Sequence, residues 1–326
     1  MTVGFRRALR LGALLLLAAV VPASAAAATP AQADVIVGIA DQKPDMFGDP
    51  RFAELGIGHV RRAVAWDAMT SDWQVAELDE WLDAAHEAGA EPLVSFTASR
   101  TRKRSLPTPQ RLKGELRRFR RRYPWVTTFA TWNEPNHCGQ PTCHRPRLVA
   151  GYYRALRREC PTCTILAPEV LDIPNMARWV RDFRTELGFS PKRWGLHNYV
   201  EANRFKMGRL RLLLRLTPGS ELWLTETGGL VRRNNGSRTA IPEGARHAGD
   251  VTRYIFDEIV PRNPRVKRVY IYHWNAGPRR TTTWDSGLLT YGGRERSAMF
   301  VLARVMHFGL RPQARVRWPR LGARPG

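Results

Sequence analysis

Acidic residues are scarce in this 326-residue chain: 29 Asp and Glu stand against 52 Lys and Arg, a formal net charge of +23. A surplus of that size draws polyanions from a distance but says nothing about fold. No nucleic-acid-binding module accompanies it, so nucleic acid is not the expected partner. Cysteines number only four. Internal repeats and low-complexity linkers are lacking too, which leaves one domain as the simplest count. Beyond the N-terminal segment there is no run of the ~20 apolar residues that a membrane helix requires.

The N-terminal segment is the one strongly apolar stretch. Arg6, Arg7 and Arg10 precede the apolar residues 11–21, and Ala-x-Ala sites follow at Ala23-Ser24-Ala25 and Ala31-Gln32-Ala33. This pattern reads as a secretory signal peptide over residues 1–33 with cleavage near 25–33, an uncleaved anchor being the competing reading. A domain at 34–308 and a basic extension at 309–326 complete the expected organisation, and the mature protein is expected outside the cytoplasm.

Within the domain, short apolar runs alternate with helical patterns. Strands are expected at 35–40, 59–65, 91–96, 127–133, 164–168, 194–199, 221–225 and 269–274, most of them too apolar throughout for a half-exposed sheet. Helical spacing is clearest at 73–88, where Val75, Leu78, Trp81, Leu82 and Ala85 share a face and Gly89 ends the run. Thr108-Pro109 supplies an N-cap and first-turn proline for another helix. Further helices are expected at 51–55, 147–158, 176–187, 205–216, 244–260 and 294–306. Eight such β/α units over about 270 residues point to α/β architecture, a (β/α)8 TIM barrel, rather than a doubly wound sheet.

In such a barrel the chemistry sits where strands open into loops at their C-terminal ends. The residues there are polar in a way the strands are not: Asp41, Trp66-Asp67, Asn133-Glu134, Glu169, His197, Tyr199, Glu226 and Trp274-Asn275. Each alone has a plain explanation as a cap or a packing residue. Together they converge on one rim. Two glutamates so placed, Glu134 and Glu226, suit glycosidic cleavage, in which one carboxyl gives a proton to the leaving oxygen while the other acts on the sugar's oxocarbenium-like carbon.

Trp132-Asn133-Glu134-Pro135-Asn136 resembles the acid/base motif of clan A glycoside hydrolases, especially family 39 and its relatives, and Glu226 after its apolar strand resembles their nucleophile. Arg61 is similar to the second-strand arginine that steadies that nucleophile. His197-Asn198-Tyr199 is similar to the sixth-strand His-x-Tyr, Trp274 to the eighth-strand sugar platform, and 284–289 to the loop before the last helix. The resemblance implies a retaining double displacement without metal or cofactor. Glu134 serves as acid and then base, its pKa raised at first by Glu226 and partial burial. Asn133 would bind the sugar 2-hydroxyl, Arg61 and Tyr199 would hold Glu226, Trp274 would stack on the sugar, and His197 is either a sugar ligand or part of the rim. A retaining pair should stand ~5–5.5 Å apart, an inverting pair ~6.5–9.5 Å. The substrate class is a poly- or oligosaccharide, and the basic surface suits an acidic or cell-wall glycan. Arg232, Arg233, Arg279 and Arg280 on two rim loops are candidates for meeting its anionic groups.

Other readings stay open: a carbohydrate-binding protein on a lapsed barrel, or a transglycosylase using the same residues. The cysteines also carry two readings. Cys138 and Cys143 follow the fourth strand while Cys160 and Cys163 lie beyond the next helix, and a helix of about twelve residues spans ~18 Å, too far for one tetrahedral metal. Two local disulfides, Cys138–Cys143 and Cys160–Cys163, are expected in an oxidising compartment. The alternative is a metal site recruiting His137 and His144. Asn235-Gly236-Ser237 matches a glycosylation acceptor, a pattern common by chance.

Overall fold

A computed structural model describes residues 1–2, 35–234, 236 and 240–310. Residues 3–34, which hold most of the expected signal peptide, residues 311–326 of the expected basic extension, and Asn235 and Ser237 of the acceptor pattern lie outside the described residues.

The strands are β1 (Ile36–Ala40), β2 (His59–Ala65), β3 (Glu91–Thr97), β4 (Thr128–Ala130), β5 (Thr164–Leu166), β6 (Glu169–Leu171), β7 (Arg193–His197), β8 (Glu221–Thr227), β9 (Arg232–Arg233), β10 (Val266–Tyr272) and β11 (Trp284–Asp285). Nine of them form one parallel sheet in the order β5-β4-β3-β2-β1-β10-β8-β7-β6, and β9 pairs with β11 antiparallel. Those nine strands fill eight barrel positions. Proline has no N–H to give a ladder, and Pro168 splits the fifth position into β5, which pairs with β4, and β6, which pairs with β7. The seam is closed by backbone bonds from Glu169 N to Trp132 O (3.0 Å), from Glu134 N to Glu169 O (2.9 Å) and from Ala167 N to Arg193 O (2.9 Å). The sixth, seventh and eighth positions are β7, β8 and β10. The architecture is the expected (β/α)8 barrel.

Around it run α1 (Pro50–Glu54), α2 (Asp72–Glu87), α3 (Pro109–Arg122), α4 (Pro146–Glu159), α5 (Met176–Leu187), α6 (Tyr199–Ala202), α7 (Gly208–Leu216), α8 (Ala245–Tyr254), continued by a π-helical turn at Ile255–Ile259, and α9 (Ser297–Phe308). The expected caps form. Thr108 accepts from Arg111 N at 3.1 Å with Pro109 in the first turn of α3, and Gly89 takes φ +65° just past α2. The helix expected from 205 begins instead at Gly208. Phe205 takes φ +53°, which no helix continues, and the preceding residues form the separate α6, capped by Asp172 through Val200 N (3.1 Å) and Glu201 N (2.6 Å).

Inside the barrel the side chains stack in layers. One layer is apolar: Ala40, Leu93, Ala130, Leu166, Trp223 and Tyr270, all buried. Small residues make room for the two large rings. A Cβ on Gly38 would come within 2.8 Å of the Tyr270 ring and 2.5 Å of His59 O, so Gly38→Ala would force the layer apart. The next layer toward the C-terminal ends is polar, and it forms the candidate site.

Candidate active site

Arg61 points inward from β2 and is fully buried, so its charge must be met by protein groups. It is met twice. Nε and Nη2 reach Glu169 Oε1 (2.8 Å) and Oε2 (2.6 Å) in a forked pair, while Nη1 reaches Glu226 Oε1 at 2.5 Å. Burial disfavours the guanidinium charge, yet the two carboxylates more than offset it and raise the pKa of Arg61. Nη2 also donates to Asn133 Oδ1 at 2.7 Å, which leaves the Asn133 amide nitrogen as the donor facing outward.

Glu169 is buried completely on β6, where Ser95 of β3 also donates to Oε2. Burial pushes its pKa up, but Arg61, His197 and Ser95 prevail and hold it lowered, as a carboxylate. It fits because position 195 on β7 is glycine: a Cβ there would stand 2.5 Å from Glu169 Cγ. Glu169 was recognisable in the sequence only as one polar strand end among several.

Glu134 leaves β4 in the left-handed region, φ +45°, immediately before Pro135. The turn is fastened beyond it. Asn136 accepts from Leu171 N (2.8 Å) and donates to Leu171 O (2.9 Å), tying the loop to β6. Cys138–Cys143 closes the same loop as a disulfide, and Cys160–Cys163 forms a second one beyond α4, with Cα–Cα separations of 4.8 and 5.2 Å. The cysteines are thereby spent, and the metal reading with His137 and His144 loses its thiolates.

His197 at the end of β7 is fully buried, with Nδ1 3.0 Å from Glu134 Oε1 and 3.7 Å from Glu226 Oε2. An oxygen of Glu134, an oxygen of Glu226 and a ring nitrogen of His197 lie within 4.8 Å of one another. A cation held there would share Glu226 with the Arg61 guanidinium, an unfavourable neighbour. Burial opposes charge on His197, but Glu226 and the bond to Glu134 raise its pKa. The partner effect falls on Glu134. Its burial raises the pKa, and the hydrogen bond and charge of His197, with His137 and Arg61 behind, bring it below the ordinary value. The raised pKa expected at Glu134 is therefore corrected in sign: His197, with His137 and Arg61 behind, draws its carboxyl toward the charged form.

Tyr199 donates to Glu226 Oε2 at 3.3 Å, and burial with the nearby carboxylates raises its pKa well above normal, so it stays a neutral donor. Trp274 does not stand where a sugar platform is needed. It is 1% exposed, packs edge-on against Phe52 with ring centroids 5.8 Å apart, and donates Nε1 to Asp49 at 3.1 Å. The chain leaves the β10 ladder at Tyr272, so the inward alternation that would have carried Trp274 into the mouth has already ended. Tyr272 is the inward aromatic. It is partly exposed, and burial, Glu226, Asp41 and Glu134 raise its pKa. Its inward parity with Tyr270 was the available sequence signal. Asp41, Asp67 and Asn275 serve the rim: Asp41 accepts from Trp274 N (2.9 Å), Asp67 from Ser99 (2.8 Å) and Arg102 (2.9 Å), and Asn275 from Lys43.

No family model and no curated protein matches the chain. Solved structures do. GH5_18 from Streptomyces cattleya in complex with GlcNAc superposes with a TM-score of 0.61 at 17% identity, covering 84% of this chain and 80% of that one. A family 39 glycoside hydrolase from the gut symbiont Bacteroides cellulosilyticus WH2 gives 0.59 at 13%, covering 84% and 64%. Native xylanase 10B from Thermotoga maritima gives 0.59 at 12%, covering 84% and 95%. At these identities the likeness is one of fold: the chain has a (β/α)8 barrel like those of these glycoside hydrolases.

Proposed function

We propose that the protein is a secreted, retaining glycoside hydrolase that cleaves a poly- or oligosaccharide by double displacement, with Glu226 as nucleophile and Glu134 as acid and then base. One observation carries the reading: the two carboxyl groups each place an oxygen within 4.8 Å of one of the other's, in a cluster held by Arg61, His197 and Tyr199. That closeness suits a retaining pair; an inverting pair stands wider to admit a water between the carboxyls.

In the open site one proton is shared between His197 Nδ1 and Glu134. Sugar binding expels water, which disfavours the charge-separated pair and moves the proton to Glu134. Glu226 attacks the anomeric carbon as the glycosidic C–O bond breaks, and Glu134 gives its proton to the leaving oxygen. Water, deprotonated by Glu134, then opens the ester and restores both groups. Asn133 donates through its amide nitrogen to the sugar 2-hydroxyl, a contact that strengthens in the transition state.

The acidic or cell-wall glycan belongs to the same proposal. Its support is the +23 charge together with exposed Lys103, Arg104, Arg279 and Arg280 on the loops after β3 and β10. The two disulfides suit an oxidising compartment. The test is turnover of aryl glycosides and of neutral and acidic glycans by purified protein at several salt concentrations, with the anomer first released read by proton NMR. Retention with salt-sensitive preference for acidic glycans is expected. First release of the inverted anomer, or tight glycan binding without turnover, refutes the assignment.

A further inference from the structure

We propose that Glu169 is a positioning residue, the permanent counter-ion of Arg61, which keeps the guanidinium paired while Glu226 is carried as a neutral ester. The inference rests on the double-displacement reading of the same site.

Arg61 has two carboxylates, and they differ in availability. Glu226 is charged in the resting enzyme but uncharged in the glycosyl-enzyme, where its carboxylate oxygen is bonded to the sugar carbon. A buried arginine left alone through that half of the cycle would make the intermediate costly and hold Glu226 too firmly in its anionic form. Glu169 prevents this. It takes no part in bond making, yet it holds two of the guanidinium nitrogens, at 2.8 and 2.6 Å, and both side chains have 0% exposure.

The charge balance follows. At rest the cluster holds Arg61 (+1), Glu169 (−1), Glu226 (−1) and one proton shared by His197 and Glu134, a net −1. In the glycosyl-enzyme Glu226 is neutral and the proton has left with the leaving group, so Glu134 carries the charge and the sum is still −1. Reaction moves one negative charge from Glu226 to Glu134 and leaves the buried total fixed.

The other groups facing this cluster are Tyr199 on α6, Tyr272 on β10, Asp41 after β1 and His137 after β4. None of them contacts Arg61 as Glu169 does. Two measurements test the idea. In Glu169→Gln, the pH–rate profile of an aryl glycoside should shift as a whole toward acid, by about one pH unit or more, the scale of removing one buried negative charge at an effective dielectric near 20 from a cluster in which Glu169 Oε2 lies 3.9 Å from His197 Nε2. Glu169→Asp should restore it. Unmoved limbs in a folded, active Glu169→Gln overturn the proposal.

The second measurement needs no activity. Glu226→Gln should melt near the wild-type temperature, because Arg61 keeps Glu169, whereas Glu169→Gln should melt clearly lower or fail to fold. Equal melting losses in the two variants overturn the proposal. If wild type cleaves no glycoside but this asymmetry holds, the pairing role stands and the glycosidase assignment fails.

Discussion

Replacing Arg61 by methionine keeps most of the aliphatic stem and deletes the guanidinium. The structure sets the scale of the loss. Four close contacts disappear, to Glu169 Oε1 and Oε2, Glu226 Oε1 and Asn133 Oδ1. Glu169 has 0% side-chain exposure and Glu226 only 12%, so water does little to replace the lost cation. Breaking a buried pair by removing one partner costs about 3–5 kcal/mol. For a domain of this size that lowers the melting temperature by about 5–15 °C.

The pH dependence separates this cause from a simple packing loss. In wild type the pKa of Glu169 is lowered, so its contribution to stability is present above the unfolded carboxyl value and is lost as pH falls. In Arg61→Met the burial of Glu169 acts unopposed by Arg61, its folded pKa lies above the unfolded value of ~4.3, and stability falls as pH rises through that window. The difference between the two proteins should therefore be widest at pH 7 and narrow toward pH 4–5. Urea unfolding across that range reads it directly, and the double variant Arg61→Met/Glu169→Met should recover most of the loss. A deficit under about 1 kcal/mol at pH 7, or one constant with pH, refutes the reasoning.

Gly195→Ala should destabilise by about 1–3 kcal/mol and lower activity, since its Cβ would lie 2.5 Å from Glu169 Cγ; thermal melts and aryl glycoside kinetics check both. Asn136→Ala leaves the backbone N–H and C=O of Leu171 without their side-chain partners and should cost about 1–3 kcal/mol, with a fall in kcat as the Glu134 turn loosens. The raised pKa of His197 makes its contribution to stability complete below ~6.5 and lost as pH rises through the higher folded value. Melting temperatures should accordingly decline on the alkaline side in wild type and not in His197→Asn. Alkylation of the denatured protein without reductant should label no cysteine, and labelling of Cys138 or Cys143 would contradict the loop closure.

Much of the fold is legible because buried parallel strands are apolar throughout and helices announce their ends. Each of the eight expected strand regions contains a strand, and α3 begins at the cap chosen for it. What was not legible depends on groups far apart in the chain. The split of the fifth strand requires knowing that Pro168 lies in a ladder. The break before α7 depends on Asp172 reaching across to cap α6. Glu169 is an ordinary glutamate until Arg61, 108 positions away, is placed against it.

The same limit governs the pKa values. Proximity of two acids alone predicts a raised value for one of them, which is the expectation for Glu134. The arrangement found is a five-member cluster in which His197 lies against both acids and Arg61 against Glu226 and Glu169. A cation between two carboxylates reverses the sign that the pair alone would give. Strand alternation carries Arg61 and His197 to the inner face, whereas Glu226 reaches it through a register shift in β8 after inward Trp223. Alternation does not say which neighbour each residue will meet across the barrel, and that pairing decides who holds the proton. Trp274 fails for a related reason: alternation holds only while the ladder lasts, and one residue past Tyr272 the chain is already turning toward Asp49 and Phe52.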